Sequence, residues 1–420
     1  MNVTVKPGLL SGAVATIPSK SDAHRLLIAA ALADKPTHIE LPSRSRDIDA
    51  TADCLRALGA DIQDEPGGVV ITPIIKRGEA IQLDCGESGT TLRLLLPVAA
   101  ALCKRARLIG RGRLPERPLA ELIRCLSAHG VCFDHDRLPL SLSGELRAGE
   151  YSIPGDVSSQ YISGLLLALP LLAGDSSIRL TSPLESAGYV DMTLSALSRF
   201  GVIAQTKPGG FFVPGKQAYR SPGCVRAEGD WSNAAFFLAA GAIGKPVTCT
   251  GPDAASAQPD RVILELLGRF GADVTWRDGA VTVSPAPLRG MDIDVSQSPD
   301  LVPILAVLGC AAAGQTRLYN ARRLRMKESD RLCAVAAMLR AFGAAVEELP
   351  DALIITGGAL SGGTVDCCED HRIAMAAAVA ATIAAGETTL TGTECVEKSY
   401  PSFFEDFVSL GGSTDVVQFR

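Results

Sequence analysis

Leu266–Val274 reads LLGRFGADV, the end of an amphipathic helix that stops at Gly271 and turns at once into alternating sequence. The same pattern recurs at Cys54–Ile62 (CLRALGADI), Cys125–Phe133 (CLSAHGVCF), Ala196–Ala204 (ALSRFGVIA), Leu339–Glu347 (LRAFGAAVE) and Phe407–Asp415 (FVSLGGSTD). The glycines at 59, 130, 201, 271, 343 and 411 stand 71, 71, 70, 72 and 68 residues apart. A helix that closes through a left-handed residue favours Gly there, so each glycine predicts a helix C-cap. A spacing this steady marks one repeated unit, with a period beyond the roughly 20–50 residues of ordinary solenoids.

Outward from each glycine the copies agree further. Upstream lies an Ala/Leu-rich run, apolar on most faces and so a buried helix: His24–Asp34, Thr90–Leu102, Gln160–Leu172, Ser232–Ile243, Asp300–Ala312 and His371–Ile383. A short strand follows each, then a polar loop and the amphipathic helix. After the glycine most copies alternate as a hairpin, as in Val131–Ser143 and Ala272–Ser284. The unit reads βαβαββ, and six of them predict an α/β chain of two domains with three units each. The last unit stops short of its hairpin, while Asn2–Gly8 (NVTVKPG) is a strand without a unit. Placing that strand in the C-terminal domain gives an N-terminal domain at 18–227 and a C-terminal domain from 1–17 plus 228–420. The chain then crosses near Ile17 and near Glu228. Two crossings are expected to make a hinge and a cleft that closes on a ligand.

Composition narrows the function. Of 420 residues 47% are hydrophobic and 20% charged, enough for sizeable cores and wrong for a disordered chain. The net charge of −6 argues against non-specific nucleic-acid binding, which needs a basic face. The start MNVTVKPG lacks the apolar core of a signal peptide. The longest apolar run, Tyr161–Gly174, is broken by Pro170 and falls short of the ~20 residues that span a bilayer. A soluble cytoplasmic monomer without nucleic-acid or membrane partners is expected. The twelve cysteines show no CxxC pair and no zinc spacing, which predicts reduced, buried thiols.

The chemistry concentrates where loops meet helices. In Ile17–Arg25 (IPSKSDAHR), Lys20, Ser21 and Arg25 open a buried helix, whose free N–H groups and dipole favour an anion. An ordinary Ser cap with solvated cations explains that segment too. In Cys85–Arg93 (CGESGTTLR), Gly86 and Gly89 let the backbone approach a ligand, and Arg93 is expected on the first turn of the next helix. The Lys of a phosphate-binding Walker loop is absent. Arg117 precedes Pro118, which suits a helix's first turn. Ser158, Ser159 and Gln160 precede another buried helix, and Asp300 another, where an N-cap role is equally open. Arg322–Leu332 (RRLRMKESDRL) has seven charged residues in eleven and leads into an amphipathic helix; a solvated loop is the usual explanation. His371 and Arg372 open the last buried helix, and Lys398 precedes a helix start. Together, Lys20, Arg25, Arg93, Arg117, Arg331, Arg372 and Lys398 put cations at equivalent junctions of an acidic chain. That many cations suit substrates with both phosphate and carboxylate groups. Asp300 and Glu328 would be carboxylates among cations, suited to proton transfer. No metal-ligand pattern appears, which favours metal-free acid–base chemistry.

The segments SKSDAHR, GESGTTLR, LPERPL, SSQYISG, RMKESDRL, EDHRIAM and EKSYP, in this order along the whole chain, resemble the 5-enolpyruvylshikimate-3-phosphate synthase family of enolpyruvyl transferases. The resemblance implies two inverted α/β barrel domains with the substrate cleft between them. It implies transfer of the enolpyruvyl group of phosphoenolpyruvate to the 5-hydroxyl of 3-phosphoshikimate, in the shikimate pathway of aromatic amino-acid biosynthesis. Phosphate leaves through a tetrahedral intermediate, and no metal or organic cofactor takes part. By the same resemblance Lys20, Ser21 and Arg25 face the shikimate phosphate, with Lys20 also reaching phosphoenolpyruvate. Ser158, Ser159, Gln160 and Ser186 complete that pocket, with Arg323 and Lys327 nearby. Gly89, Arg93, Arg117, Arg331, Arg372 and Lys398 line the substrate site, mostly at phosphoenolpyruvate. Asp300 takes the 5-hydroxyl proton, Glu328 handles the proton at the methylene carbon, and Lys20 joins them as a catalytic group.

The chain departs from familiar members in three places. PSK stands where Gly usually precedes the Ser-Lys, His24 where Asn is usual, and Glu87 where the loop often has Asn. Arg323 replaces an Asn of some members. The retained Gly89 leaves room for glyphosate as an inhibitor. A sister family acting on UDP-N-acetylglucosamine shares the fold, but its reactive loop carries Cys or Asp, and GRGRLPERP here has neither. A non-catalytic anion-binding homologue is the other alternative, against which Lys20, Asp300, Glu328 and Lys398 all stand.

Overall fold

The strand–helix–strand–helix–strand–strand pattern gives one four-stranded sheet per repeat, six among the described residues, with strands near the chain ends and at Cys224–Arg226 exchanged between repeats. The computed structural model describes residues 1–75 and 80–417. Within each sheet the strand before the buried helix pairs parallel with the strand after it, and the two hairpin strands close the sheet antiparallel. Two compact units result. One is Pro18–Glu228, the other Met1–Ile17 with Gly229–Arg420. The division falls after Glu228, one residue later than expected. The Glu228 carbonyl accepts from Ser19 N–H at 2.7 Å, and its own N–H donates to Asp22 Oδ2 at 3.1 Å, so it is tied to the Pro18 side.

The helices alternate in kind. In the first unit they are α1 (Lys20–Ala31), α2 (Arg46–Leu58), α3 (Gly89–Leu102), α4 (Ala120–Ser127), α5 (Ser159–Ala168) and α6 (Ala187–Arg199). In the second they are α7 (Trp231–Ile243), α8 (Ile263–Phe270), α9 (Val302–Ala311), α10 (Arg331–Ala341), α11 (His371–Ala381) and α12 (Phe403–Ser409). Odd-numbered helices are buried on nearly every face; all of His371–Ala381 is buried. Even-numbered ones bury one stripe, as Ile263, Leu266, Leu267 and Phe270 do on α8, spaced three and four apart. Each of the six repeat glycines has positive φ, from 70° at Gly201 to 111° at Gly271. In five of the six the next residue's N–H returns to the carbonyl five residues back, as Ala60 to Leu55 and Ala272 to Leu267, which ends the helix.

The ends of the chain are exchanged between sheets. Asn2–Lys6 inserts between Thr388–Thr391 and Ser413–Val417, antiparallel to both, and so supplies the hairpin strand the sixth unit lacks. Gly12–Ala15 pairs parallel with Val247–Thr250 as the leading strand of the fourth unit. Cys224–Arg226 does the same for Thr37–Glu40 of the first unit.

The buried helices pack closely because small residues line them. α3 lies on α1 and α5, and α7, α9 and α11 lie on one another. Pro97 inside α3 has no N–H, so the Arg93 carbonyl four residues earlier loses its helical donor. Gly164 of α5 fills that gap; a Cβ there would sit 2.4 Å from the Arg93 oxygen. Gly164→Ala is therefore expected to push α5 off α3 and to cost about 1–3 kcal/mol by overpacking. Chemical denaturation checks this, and a variant as stable as the parent refutes the close contact.

Among the described residues no helix is long and apolar enough to cross a membrane. The expectation of buried thiols fails at Cys132, Cys224 and Cys333, which are exposed, and at half-buried Cys368. These lie on polar faces of strands and helix starts, outside the buried runs.

Candidate active site

In every sheet two loops leave the carboxyl ends of the parallel pair. One leads into the buried helix and one into the amphipathic helix. Ligands of α/β sheets bind at such ends. The residues singled out in the sequence lie on these loops or on the first two turns after them.

In the Pro18–Glu228 unit, Lys20 is the first residue of α1, and its Nζ lies 2.8 Å from Asp47 Oδ2 on α2. Ser19, not Ser21, caps the helix, accepting from Asp22 N–H. Arg25 is 1% exposed and spent inside the unit. It donates to Thr193 Oγ1 at 2.8 Å, to the Tyr189 carbonyl at 2.7 Å, to the Ser21 carbonyl at 2.5 Å and to Ser163 Oγ at 3.4 Å. Burial pulls its pKa down to about 10, against the pull of Asp22. Arg25 thus ties α1 to the starts of α5 and α6 rather than standing open as the sequence suggested. Ser186 caps α6 in a left-handed conformation, φ 54°, unusual for a residue with a side chain. Ser158 and Ser159 begin α5, and the Glu185 N–H bonds the Gly155 carbonyl at 3.1 Å, which brings the Ser158 and Ser186 loops together.

A second cluster forms where α3 and α5 start. α3 begins at Gly89, so Arg93 opens its second turn, not its first. Arg93 Nη1 donates to Gln160 Oε1 at 3.0 Å, and Gln160 Nε2 to Thr90 Oγ1 at 2.8 Å. Pro118 does not open a helix as expected: Arg117 follows a 3-10 turn, Leu114–Glu116, and α4 starts at Ala120. Its guanidinium lies over Gly89, where a Cβ would be 2.6 Å from Arg117 Nη1 and 2.9 Å from Arg93 Nη1. Gly89 is what lets two guanidinium groups converge on the start of α3. Glu87 lies over Gly112, whose Cβ would be 2.9 Å from Glu87 Oε2, and its charge adds to that of Asp84 on Arg111.

The other unit holds the acid–base candidates. Asp300 lies in a 3-10 turn before α9, whose N-cap position is Leu301. Its carboxylate meets Arg331 Nη1 at 2.7 Å, Arg372 Nη2 at 3.1 Å and Lys327 Nζ at 3.2 Å. Burial would push the Asp300 carboxyl up, but Arg372, Lys327 and Arg331 outweigh it and hold it well below the usual range. Burial pulls Lys327 down despite Asp300 beside it. Arg331 is 1% exposed; burial disfavours its charge, yet Asp370, Glu328 and Asp300 together raise its pKa. Glu328 Oε2 lies 2.6 Å from Arg331 Nη2. Arg323 donates to the Ser296 carbonyl at 2.6 Å, and Lys398 to the Glu369 carbonyl at 2.9 Å. Lys398 ends a 3-10 turn and stands five residues before α12, so it does not abut a helix start.

Asp370 is the residue that sequence reasoning missed. It is fully buried and accepts from Arg331 Nε at 2.9 Å, Arg331 Nη2 at 3.2 Å, Ser329 Oγ at 3.0 Å and the Arg372 N–H at 3.0 Å. An Asp directly before a helix is a cap signal that was there to be seen in EDHRIAM. Its bonds to Arg331, 39 residues away, were not. The preceding Cys368 and Glu369 both have φ 52°, a left-handed pair that turns the chain into α11. Among the described residues no group of three or more His, Cys, Asp or Glu could hold a metal ion.

Six such repeats, with the guanidinium and ammonium groups of Lys20, Arg93, Arg117, Arg331, Arg372 and Lys398 on or just after these loops, suit a class of enzyme that handles small, multiply anionic molecules. The chain belongs to the EPSP synthase (3-phosphoshikimate 1-carboxyvinyltransferase) family, whose model matches residues 5–407. It is 42% identical over 421 residues to the 3-phosphoshikimate 1-carboxyvinyltransferase of Clostridium kluyveri, covering 98% of each chain. It is also 42% identical over 431 residues to that of Halobacterium salinarum, covering 99% of this chain and 100% of the relative. Among solved structures, the EPSP synthase from Acinetobacter baumannii matches with a TM-score of 0.84 at 27% identity, over 99% of this chain and 100% of that one. The enolpyruvyl transferase NikO from Streptomyces tendae shares the fold, with a TM-score of 0.80 at 21% identity, over 99% of this chain and 98% of that one.

Proposed function

We propose that this chain transfers the enolpyruvyl group of phosphoenolpyruvate to the 5-hydroxyl of 3-phosphoshikimate, releasing phosphate. The observation that carries the reading is the Asp300 carboxylate held by Lys327, Arg331 and Arg372, with Glu328 on the same Arg331. In the ligand-free chain those cations make Asp300 a weak base. Substrate phosphate and carboxylate groups compete for the same cations. As they bind, the field on Asp300 falls and its basicity rises, so proton acceptance is coupled to occupancy.

The chemistry then runs in two steps. Asp300 accepts the 5-hydroxyl proton as that oxygen attacks the second carbon of phosphoenolpyruvate, and Glu328 delivers a proton to the methylene carbon. The tetrahedral adduct then returns a methyl proton to Glu328, the C–O bond to phosphate breaks, the proton held by Asp300 leaves with the phosphate, and the C=C bond re-forms as the enol ether of the product. Lys20, Arg117, Arg331, Arg372 and Lys398 hold the phosphoenolpyruvate charges in attack geometry, with Arg93 beside Gly89. Ser21, whose carbonyl Arg25 holds, Ser158, Ser159, Gln160 and Ser186 receive the shikimate phosphate, with Arg323 and Lys327 at its edge. Glyphosate, a small phosphonate carboxylate, fits the same cations beside Gly89.

Phosphate release tests the reading. The protein mixed with phosphoenolpyruvate and 3-phosphoshikimate is expected to liberate inorganic phosphate, and with UDP-N-acetylglucosamine as acceptor it is not. The opposite pattern overturns the assignment.

A further inference from the structure

A buried chain of hydrogen bonds joins the first site loop to the second, and the proposed chemistry leaves it unused. His24 lies one turn past Lys20 on α1, and its Nδ1 stands 2.7 Å from Thr51 Oγ1 on α2. Thr51 Oγ1 stands 2.7 Å from Thr91 Oγ1 on α3, which stands 2.8 Å from Ser88 Oγ. Ser88 caps α3, accepting the Thr91 N–H at 3.2 Å. His24, Thr51 and Thr91 are fully buried, and Ser88 is 1% exposed. The chain ends in the turn that carries Gly89, one turn ahead of Arg93. Asp47 reinforces the link: its carboxylate holds Lys20, and its carbonyl faces Thr91 Oγ1 at 3.4 Å.

The direction of the chain follows from what His24 lacks. Its Nε2 is buried without a hydrogen-bond partner. Burial first, then the charges of Lys20 and Arg25, keep the ring neutral, so one nitrogen carries hydrogen. With hydrogen on Nε2 a buried donor would be orphaned. With hydrogen on Nδ1 only a lone pair is, and orphaned buried N–H groups are the rarer case. The Nδ1–H tautomer donates to Thr51, Thr51 to Thr91, and Thr91 to Ser88. Ser88 Oγ then accepts twice, and its own proton is left for the Gly86–Gly89 turn.

We propose that His24 is a positioning residue for phosphoenolpyruvate: through Thr51 and Thr91 it fixes the Ser88–Arg93 start of α3. This rests on the reading that Gly89, Arg93 and Arg117 face that substrate. Thr51→Val breaks both central bonds while keeping the branched shape. It is expected to raise KM for phosphoenolpyruvate about tenfold, with kcat and KM for 3-phosphoshikimate within about twofold. His24→Asn places an amide nitrogen near the Nδ1 position and is expected to keep the parent KM. His24→Gln reaches toward Nε2 instead and is expected to raise it. An unchanged KM in Thr51→Val, or equal behaviour of the Asn and Gln variants, overturns the proposal. Nitrogen-15 NMR of the intact parent decides the matter independently of activity and of whether variants fold. Of the two buried histidine rings, His24 and His371, the one at His24 is expected as the Nδ1–H tautomer, and an Nε2–H or charged ring at His24 overturns it. If the parent releases no phosphate, the functional reading fails instead, and the NMR result still judges the relay.

Discussion

Asp300→Asn is expected to cut turnover by about a hundred- to ten-thousandfold, the range that general base catalysis supplies. Asn keeps the shape of Asp300 but cannot take a proton. The substitution also leaves Lys327, Arg331 and Arg372 with one negative charge fewer among them. That makes the surroundings more positive, so KM for the anionic substrates is expected to stay level or fall while kcat collapses. A loss shared equally between KM and kcat would point to a binding role, and normal turnover removes Asp300 from the mechanism. Stability shifts in a defined direction. The folded pKa of Asp300 lies below its unfolded value near 4, so its pairing stabilises the fold above that pH and is lost only as pH falls through the lower folded value. Melting curves of parent and variant should therefore differ at neutral pH and converge in strong acid.

Asp370→Ala is expected to cost about 3–5 kcal/mol, because it strands a buried guanidinium. Arg331 would keep Asp300 and Glu328 at one end but lose both bonds to Asp370 at the other, where nothing is exposed to water. Ser329 and the Arg372 N–H lose their acceptor as well. A unit of this size loses roughly 2–4 °C of melting temperature per kcal/mol, so a drop on the order of ten degrees is expected by calorimetry. Asp370→Asn keeps an acceptor for the helix cap but not the charge, and should fall between. A loss under about 1 kcal/mol in the Ala variant would mean that Arg331 is held adequately by its other partners.

These two residues differ in how they could be found. Asp300 was legible in SPDLVPI as a carboxylate at a helix start, with only its alternative as a cap left open. The structure closes that alternative by spending the carboxylate on three cations. Asp370 in EDHRIAM carries only a cap signal; its hold on Arg331 is a pairing across 39 residues that the local sequence does not show. Arg25 shows the reverse error. A cation at a helix start reads as open to a ligand, yet Thr193 and Tyr189, more than 160 residues on, take up its donors. Thr51 and Thr91 gave no signal at all: a threonine on the buried face of a helix looks like any core position until its partner is known.

The sequence by itself determined the period, the order of strands and helices, and the six left-handed glycine caps. These depend on hydrophobic spacing and φ, which are properties of a few adjacent residues. It also placed Lys20, Arg331 and Arg372 at helix starts, because a junction is a local feature. Only the tertiary structure decided which carboxylate meets which cation, that Arg25 and Arg331 are buried, and that four side chains from His24 to Ser88 form one chain. It also decided that the first strand completes the last sheet. Each of these is a pairing between residues far apart in the chain, and no local rule of spacing carries that information. Packing the buried helices together fixes it.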